Sequence, residues 1–322
     1  MHKNLYNAAL VSIIIPSYNA KCWIKEAIDS CLQQADQPVE IIVIDDGSTD
    51  NTLEILKFYS DKIILEIGPN RGGNYARNRG FALSKGEYVQ FLDADDYILP
   101  KKIAHQVSFL EETKADVVYG DWRHQFHKFD GQVHFGDVII SQEQEDVLES
   151  LLAGWWVAPV ALLFRRQAII NSGGWDETLK AAQDRDFFIS VAMTGANIEY
   201  QPGCHSVYRR YGNVTVGTAS KKRFFEQHGV VVEKAEKRLN VTGRLTSKYR
   251  SAIAASYFSI ARGLYDYDIA KYHYYINKMK TVDPNFKPNM NKLYDRVQSI
   301  IGYAGADRIA SLKRRYIKGS TL

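Results

Sequence analysis

Val11-Ser-Ile-Ile-Ile-Pro-Ser-Tyr-Asn19 passes from continuous β-branched apolar residues straight into a polar turn. An unbroken apolar run suits a strand buried on both faces, the kind found in parallel sheets. The pattern recurs downstream. Ile24, Ala27, Ile28, Cys31 and Leu32 follow at helical spacing. Residues 40–44, Glu40-Ile-Ile-Val-Ile44, are a second strand that ends in Asp45-Asp46-Gly47. Residues 51–59 are expected as a helix capped by Ser48 or Asp50, 62–67 as a third strand and 71–84 as a third helix. Residues 87–92 are a fourth strand, closed by Asp93-Ala94-Asp95-Asp96. This alternation predicts an α/β fold with a mostly parallel central sheet and flanking helices. Such sheets bind ligands beyond the carboxyl ends of their strands, where the polar clusters 16–19, 45–50 and 93–96 all fall.

Beyond residue 100 the alternation loosens. A helix is expected to about 112, a strand at 115–120, a hairpin over 122–137 turning at Asp130-Gly131, a helix at 143–153 and a strand at 160–164. A short apolar helix is expected at 186–193, and one or two strands over 198–211. After about 220 the chain is rich in Ala, Tyr, Lys and Arg at helical spacing. There, Ser256-Tyr-Phe, Ala261-Arg-Gly, Ala270 and Pro284 faintly resemble one tetratricopeptide-like hairpin. The expected organisation is a domain at 1–219, with halves at about 10–100 and 101–219, followed by a helical C-terminal region at 220–322.

The 322 residues are 45% hydrophobic and 24% charged, as in an ordinary globular protein, and the net charge is +4. So mild a positive balance does not argue for nucleic acid, but suits anionic substrates. Three cysteines without metal-knuckle spacing point to a reducing compartment. With no signal-peptide pattern, and a longest apolar stretch (157–164) far short of the roughly 18 residues of a membrane span, the expected location is cytoplasmic. The basic end Lys313-Arg-Arg-Tyr-Ile-Lys318 could touch an anionic membrane, or be a solvated helix.

Two carboxylates one residue apart, Asp93 and Asp95, can reach one hard cation, and turn or capping chemistry is the alternative. Asp46 can accept a hydrogen bond from a base and Tyr18 can stack on one, although Gly47 and Ser48 are also explained by the turn alone. Arg71, Arg77 and Arg79 open a helix, which suits phosphate or simply a solvated basic face. Asp184 is a general-base candidate that would equally serve as a helix cap. Trp155 and Trp156 suit a sugar-stacking wall or a core.

Taken together, Val11-Ser-Ile-Ile-Ile-Pro-Ser-Tyr-Asn19, Ile44-Asp-Asp-Gly-Ser-Thr-Asp50, Ala76-Arg-Asn-Arg-Gly80 and Phe91-Leu-Asp-Ala-Asp-Asp96 closely resemble family 2 glycosyltransferases, over roughly residues 10–215. The resemblance implies a GT-A fold and inverting transfer of a sugar from a nucleotide-sugar, usually UDP-linked, with Mn²⁺ or Mg²⁺. The acceptor would be a glycan or lipid-linked glycan, as in surface polysaccharide synthesis. By matching position, Pro16, Tyr18 and Asp46 would hold base and ribose, Arg77 would approach the donor, Asp93 would face its sugars, Asp95 would bind metal and Asp184 would be the base. Two departures stand out. Gln183 replaces the usual Glu before Asp184, and Tyr211 stands where relatives carry His in Tyr208-Arg209-Arg210-Tyr211. Arg209 or Arg210 would then pair with the diphosphate, with His205 a weaker substitute for the missing ligand. A rival expectation is a non-catalytic nucleotide-sugar-binding scaffold on the same fold. Retention of both Asp95 and Asp184 speaks against it.

Overall fold

A computed structural model describes residues 9–128, 130–211 and 220–319, with the side chains of 313–319 outside the description. The chain forms two compact units: 1–147 with 156–214, and 148–155 with 215–322.

The first unit is built on a nine-stranded sheet. Its first half runs β1 (Val11–Ser17), α1 (Ile24–Leu32), β2 (Val39–Asp45), α2 (Thr52–Lys57), β3 (Ile64–Ile67), α3 (Gly73–Leu83) and β4 (Tyr88–Phe91). β1 pairs in parallel with β2 and β4, and β2 with β3, giving the order β3-β2-β1-β4. Ile13, Ile14, Ile15, Ile42 and Val43 are fully buried, as their unbroken apolar runs require. The second half runs β5 (Tyr97–Ile98), α4 (Lys102–Thr113), β6 (Val117–His127), β7 (Val133–Ile139), α5 (Val147–Ala153), β8 (Leu162–Arg165), α6 (Arg166–Ser172), α7 (Gln183–Met193) and β9 (Ile198–Tyr211). α5 belongs almost wholly to the second unit. β8 joins the parallel half by lying antiparallel between β4 and β6, while β6 and β9 are parallel over ten residues or more.

Several boundaries differ from expectation. β6 is one strand spanning the expected strand and the first arm of the hairpin, and β9 is a single strand of 14 residues. β8 starts at Leu162 because Pro159 opens a 3-10 turn, where its fixed φ is favourable. α7 begins at Gln183, three residues earlier than its apolar run, with Ala182 in left-handed backbone before it (φ 56°).

Gly80 faces β1 from α3. A Cβ there would lie 2.4 Å from Ile14 Cγ2, and Ile14 is fully buried. Gly80→Ala is expected to destabilise the unit by about 1–3 kcal/mol, because overpacking outweighs the gain in helix propensity. A lower urea midpoint with unchanged slope is the expected readout; an unchanged or higher midpoint would show that the core can yield.

The second unit is helical: α8 (Lys221–Val241), α9 (Ser247–Leu264), α10 (Ile269–Val282) and α11 (Lys292–Gly319), the last kinked at Gly302. Ser220 and Asp268 cap α8 and α10 by accepting from the amides of Arg223 and Lys271. Buried Asp307 accepts from Arg262 at 2.8 Å and from Tyr272 at 3.0 Å, fastening α11 to α9 and α10. No helix among the described residues is long and apolar enough to cross a membrane. The side chains of the basic run 313–318 lie outside the described residues.

Candidate active site

The loops at the carboxyl ends of β1 and β2 are laced together. Asn19, in left-handed backbone (φ 50°), accepts from the amides of Thr49 and Asp50 through Oδ1, while its own amide donates to Ser48 Oγ. Asn tolerates this conformation better than most residues. Gly47 (φ 78°) cannot be replaced cheaply, since a Cβ would stand 2.8 Å from the Asn70 amide. Tyr18 is left half exposed beside this turn. Asp46 is buried, and its two oxygens accept the amides of Arg71 and Gly72 at 2.7 Å each. Asp46 thus occupies the two amides that lead into α3, those of Arg71 and Gly72, in the segment whose basic glycine-rich sequence suggested a phosphate site.

The three arginines of that segment have separate tasks. Arg71 stacks on Tyr75, and Arg79 makes a bidentate pair with Glu66 of β3. Arg77 reaches the site: its Nη2 donates to Asp93 Oδ1 at 2.6 Å, and its guanidinium lies over Trp175 at 4.6 Å. Trp175 in turn stacks flat on Phe187 of α7 at 4.1 Å. Asn78 exchanges hydrogen bonds with Trp175, and Asn74 donates to the Asp176 carbonyl. One loop thus couples the helix that carries Arg77 to the helix that carries Asp184.

After β4 the chain turns so that carboxylate oxygens of Asp93, Asp95 and Asp96 lie within 4.8 Å of one another. Asp96 joins Asp93 and Asp95 in the cluster. Its Oδ1 accepts the Arg209 amide at 2.8 Å, and its buried Oδ2 has no partner. Burial pushes its carboxyl well above the usual range, and Asp95 and then Asp93 add to the shift. Burial and Asp93 raise Asp95 likewise. All-oxygen donors, a shared negative charge and an orphaned buried carboxylate oxygen fit a hard divalent cation such as Mn²⁺ or Mg²⁺.

These shifts set a pH dependence. A carboxyl whose folded pKa is raised costs stability once the pH passes its unfolded value, and the full cost is reached above the raised value. Metal-free protein should lose thermal stability as the pH rises above the ordinary carboxylate range. Asp96→Asn, which keeps an oxygen to accept from Arg209, should flatten that decline. Parallel pH curves for variant and wild type would contradict the assignment.

β9 closes the cluster from the other side. Tyr211, in the place where a histidine was expected, donates its hydroxyl to Asp95 Oδ2 at 3.0 Å and packs on Trp23. Arg209 was expected at the diphosphate, but its side chain is fully buried. It donates to the Asp95 carbonyl at 2.7 Å, to Gln125 and to Glu26, between the rings of Trp23 and Tyr97. In this structure it braces the Asp95 backbone and offers no free guanidinium. Arg210 points to the opposite face of β9, over the Tyr208 ring at 4.8 Å. His205 pairs with His105 of α4 and is absent from the carboxylate cluster. Six residues separate it from Tyr211 along β9, a run of about 20 Å.

Asp184 sits in the first turn of α7 and accepts the indole N–H of Trp156 at 2.6 Å. Trp155 falls in the second unit. Tyr208 packs on Trp156, the partner of Asp184; burial and then Asp96 raise its phenol, Arg210 opposes the shift, and Asp93 and Asp184 add to it. The site thus holds a carboxylate triad, one member of which is paired with Arg77, and a separate carboxylate held by Trp156. The contact of Trp156 with Asp184 was beyond sequence reasoning, because nothing local links positions 28 residues apart.

Comparison with known proteins agrees with this arrangement. An uncharacterized glycosyltransferase of Rickettsia typhi is 37% identical over 197 residues, covering 58% of this chain and 60% of that relative. The Escherichia coli UDP-Glc:alpha-D-GlcNAc-diphosphoundecaprenol beta-1,3-glucosyltransferase WfaP is 41% identical over 115 residues, covering 35% of this chain and 46% of that relative. These matches span less than two thirds of the relatives' lengths. The fold is shared with TarS 1–349 of S. aureus, solved in complex with UDP-GlcNAc (TM-score 0.67, 22% identity, 94% of this chain and 92% of that one). That similarity identifies the architecture as GT-A. Residues 12–211 match glycosyl transferase family 2, and they contain all the described strands but for the first residue of β1, together with the carboxylate triad and Asp184. The chain belongs to glycosyl transferase family 2.

Proposed function

We propose that this chain is an inverting glycosyltransferase. It moves a sugar from a nucleotide-sugar, in the first instance a UDP-sugar, to a hydroxyl of a glycan or lipid-linked glycan in surface polysaccharide synthesis. The observation that carries this is the cluster of Asp93, Asp95 and Asp96 within 4.8 Å of one another, linked through Arg77, Trp175 and Phe187 to the helix that carries Asp184. One acidic group suits the donor diphosphate with its cation, and the other suits an acceptor hydroxyl.

Asp95, with Asp93 and Asp96, would hold the cation, which when bound offsets the negative charge that builds on the leaving diphosphate. Arg77 fixes Asp93 by its ion pair, so Asp93 presents its remaining lone pairs in one orientation toward the donor's sugars. Pro16, Tyr18 and the Asp46 turn form the base and ribose side. Asp46 does this largely by ordering the loop of Arg71 and Gly72. Trp156 engages Oδ2 of Asp184, which leaves Oδ1 to take the acceptor proton. The acceptor oxygen then attacks the anomeric carbon opposite the leaving group, and a single displacement inverts it. Arg210 is the better placed cation for the diphosphate, since Arg209 is committed to the fold. The UDP-glucose named for the WfaP relative and the UDP-GlcNAc held by TarS support a UDP donor. The Mn²⁺ in the PcManGT complex with GDP-Man supports the metal. The organisation into a domain at 1–219 and a helical region at 220–322 is part of the same proposal, as is a cytoplasmic location.

The test is a nucleotide-sugar panel with Mn²⁺, read by thermal shift and by nucleotide release. Stabilisation by UDP-sugars above that by other nucleotides is expected; a preference for a non-uridine nucleotide would overturn the donor assignment.

A further inference from the structure

β6 and β9 present a face that the mechanism above uses only at its edge. Trp122, His124 and Phe126 alternate along β6 and so share one face of the sheet. Their rings form a continuous series, Trp122 to His124 at 4.9 Å, His124 to Phe126 at 5.2 Å, and Phe126 stacked on His134 of β7 at 5.1 Å. Tyr208, in register with His124, packs against both Trp122 and His124. Trp156 touches Trp122 and Tyr208, and it is the residue that holds Asp184. The series therefore begins at the proposed base and leads away from it.

Two features separate this wall from ordinary core. His124, Phe126 and Tyr208 are only partly buried and His134 is exposed, so the rings border solvent. Trp122, 96% buried, has an indole N–H without a partner, and His124 Nδ1 also lacks one, whereas buried polar atoms in a finished core are nearly always satisfied. From Trp122 to Phe126 the wall extends about 13 Å, longer than one pyranose ring. Aromatic faces suit the C–H faces of sugars, and the ring edges here are interspersed with imidazole donors and acceptors.

We infer that this face is an extended acceptor subsite, which takes a glycan of more than one sugar with its reacting end at Asp184 and its preceding rings on Tyr208, His124 and Phe126. The inference rests on the glycosyltransferase assignment for its direction, but its binding can be measured without turnover. The probes are glucose, galactose and N-acetylglucosamine oligosaccharides from one ring to four, followed by saturation-transfer NMR and titration of tryptophan fluorescence. Wild type should bind at least one series more tightly as rings are added. Phe126→Ala should remove the gain from added rings, a loss of roughly three- to tenfold, the scale of one aromatic contact. Its Mn²⁺-dependent binding of UDP and its unfolding temperature serve as controls for fold and donor site. His124→Ala, on the same face, should act in the same direction. The inference is overturned if no oligosaccharide binds wild type, if affinity is independent of length, or if the length preference survives Phe126→Ala. Length-dependent binding without sugar transfer would instead remove the catalytic assignment and leave the subsite standing.

Discussion

Asp184→Asn should abolish sugar transfer while leaving donor binding intact. The substitution is nearly isosteric, and the amide oxygen can still accept the Trp156 indole N–H that Asp184 accepts at 2.6 Å. Helix α7 and the packing of Phe187 on Trp175 need no adjustment. What disappears is a group able to take a proton from the acceptor hydroxyl. General-base catalysis is worth about 10²–10⁴-fold, and the variant should lose kcat on that scale with little change in KM for the donor. Because Asp184 is not a member of the carboxylate triad, Mn²⁺-dependent binding of UDP should match wild type. A variant that retained near-normal transfer would remove Asp184 from the base role. A variant that lost donor binding as well would give Asp184 a different place in the site.

Asp95→Ala should have the complementary effect. Three carboxylates share a space of 4.8 Å, and their mutual repulsion is what a divalent cation would relieve. Removing Asp95 takes away the central member and strands the hydroxyl of Tyr211, which now donates to it at 3.0 Å. Loss of even a supporting contact at a metal site costs roughly 10–100-fold in affinity, so loss of a direct ligand should cost at least that. In wild type, Mn²⁺ together with UDP should raise the unfolding temperature, because both bind the folded state alone. In Asp95→Ala that rise should vanish. In the metal-free variant the relief of a buried, repelled carboxyl opposes the loss of the Tyr211 hydrogen bond, so the Mn²⁺-dependent rise and not the metal-free stability is the readout. Equal Mn²⁺-dependent stabilisation of the two proteins would show that the cation is held elsewhere.

The parallel half of the fold was legible because its strands are buried on both faces, and residues 13–15 and 41–44 accordingly show unbroken apolar runs. The ends of those strands were legible for the same reason, since charged or turn-forming residues interrupt the runs abruptly. The second half was less so. β5 is only two residues long and has no periodicity to read. β6 looked like two elements because Gly120, Asp121 and Arg123 interrupt its apolar residues, yet Asp121 is satisfied by Ser141, Tyr200 and Gly203. Arg209 is the instructive case at the site. An arginine in a segment that resembles the family's late loop invites a phosphate role, and no local signal marks it as buried. Its burial depends on Glu26, Gln125 and Trp23, from elements far apart in sequence. Tyr211 could be identified as a departure from sequence, but not what it does, because its hydrogen bond to Asp95 spans 116 positions.

The most direct measurement is acceptor-dependent release of nucleotide diphosphate from a nucleotide-sugar panel with Mn²⁺, with the anomeric configuration of the product read by NMR. Release from a UDP-sugar that requires an acceptor, yields the inverted anomer and is lost in Asp184→Asn is the expected result. Tight, Mn²⁺-dependent binding of the same UDP-sugar with neither transfer nor hydrolysis would contradict it, and would make the protein a nucleotide-sugar-binding scaffold on a transferase fold.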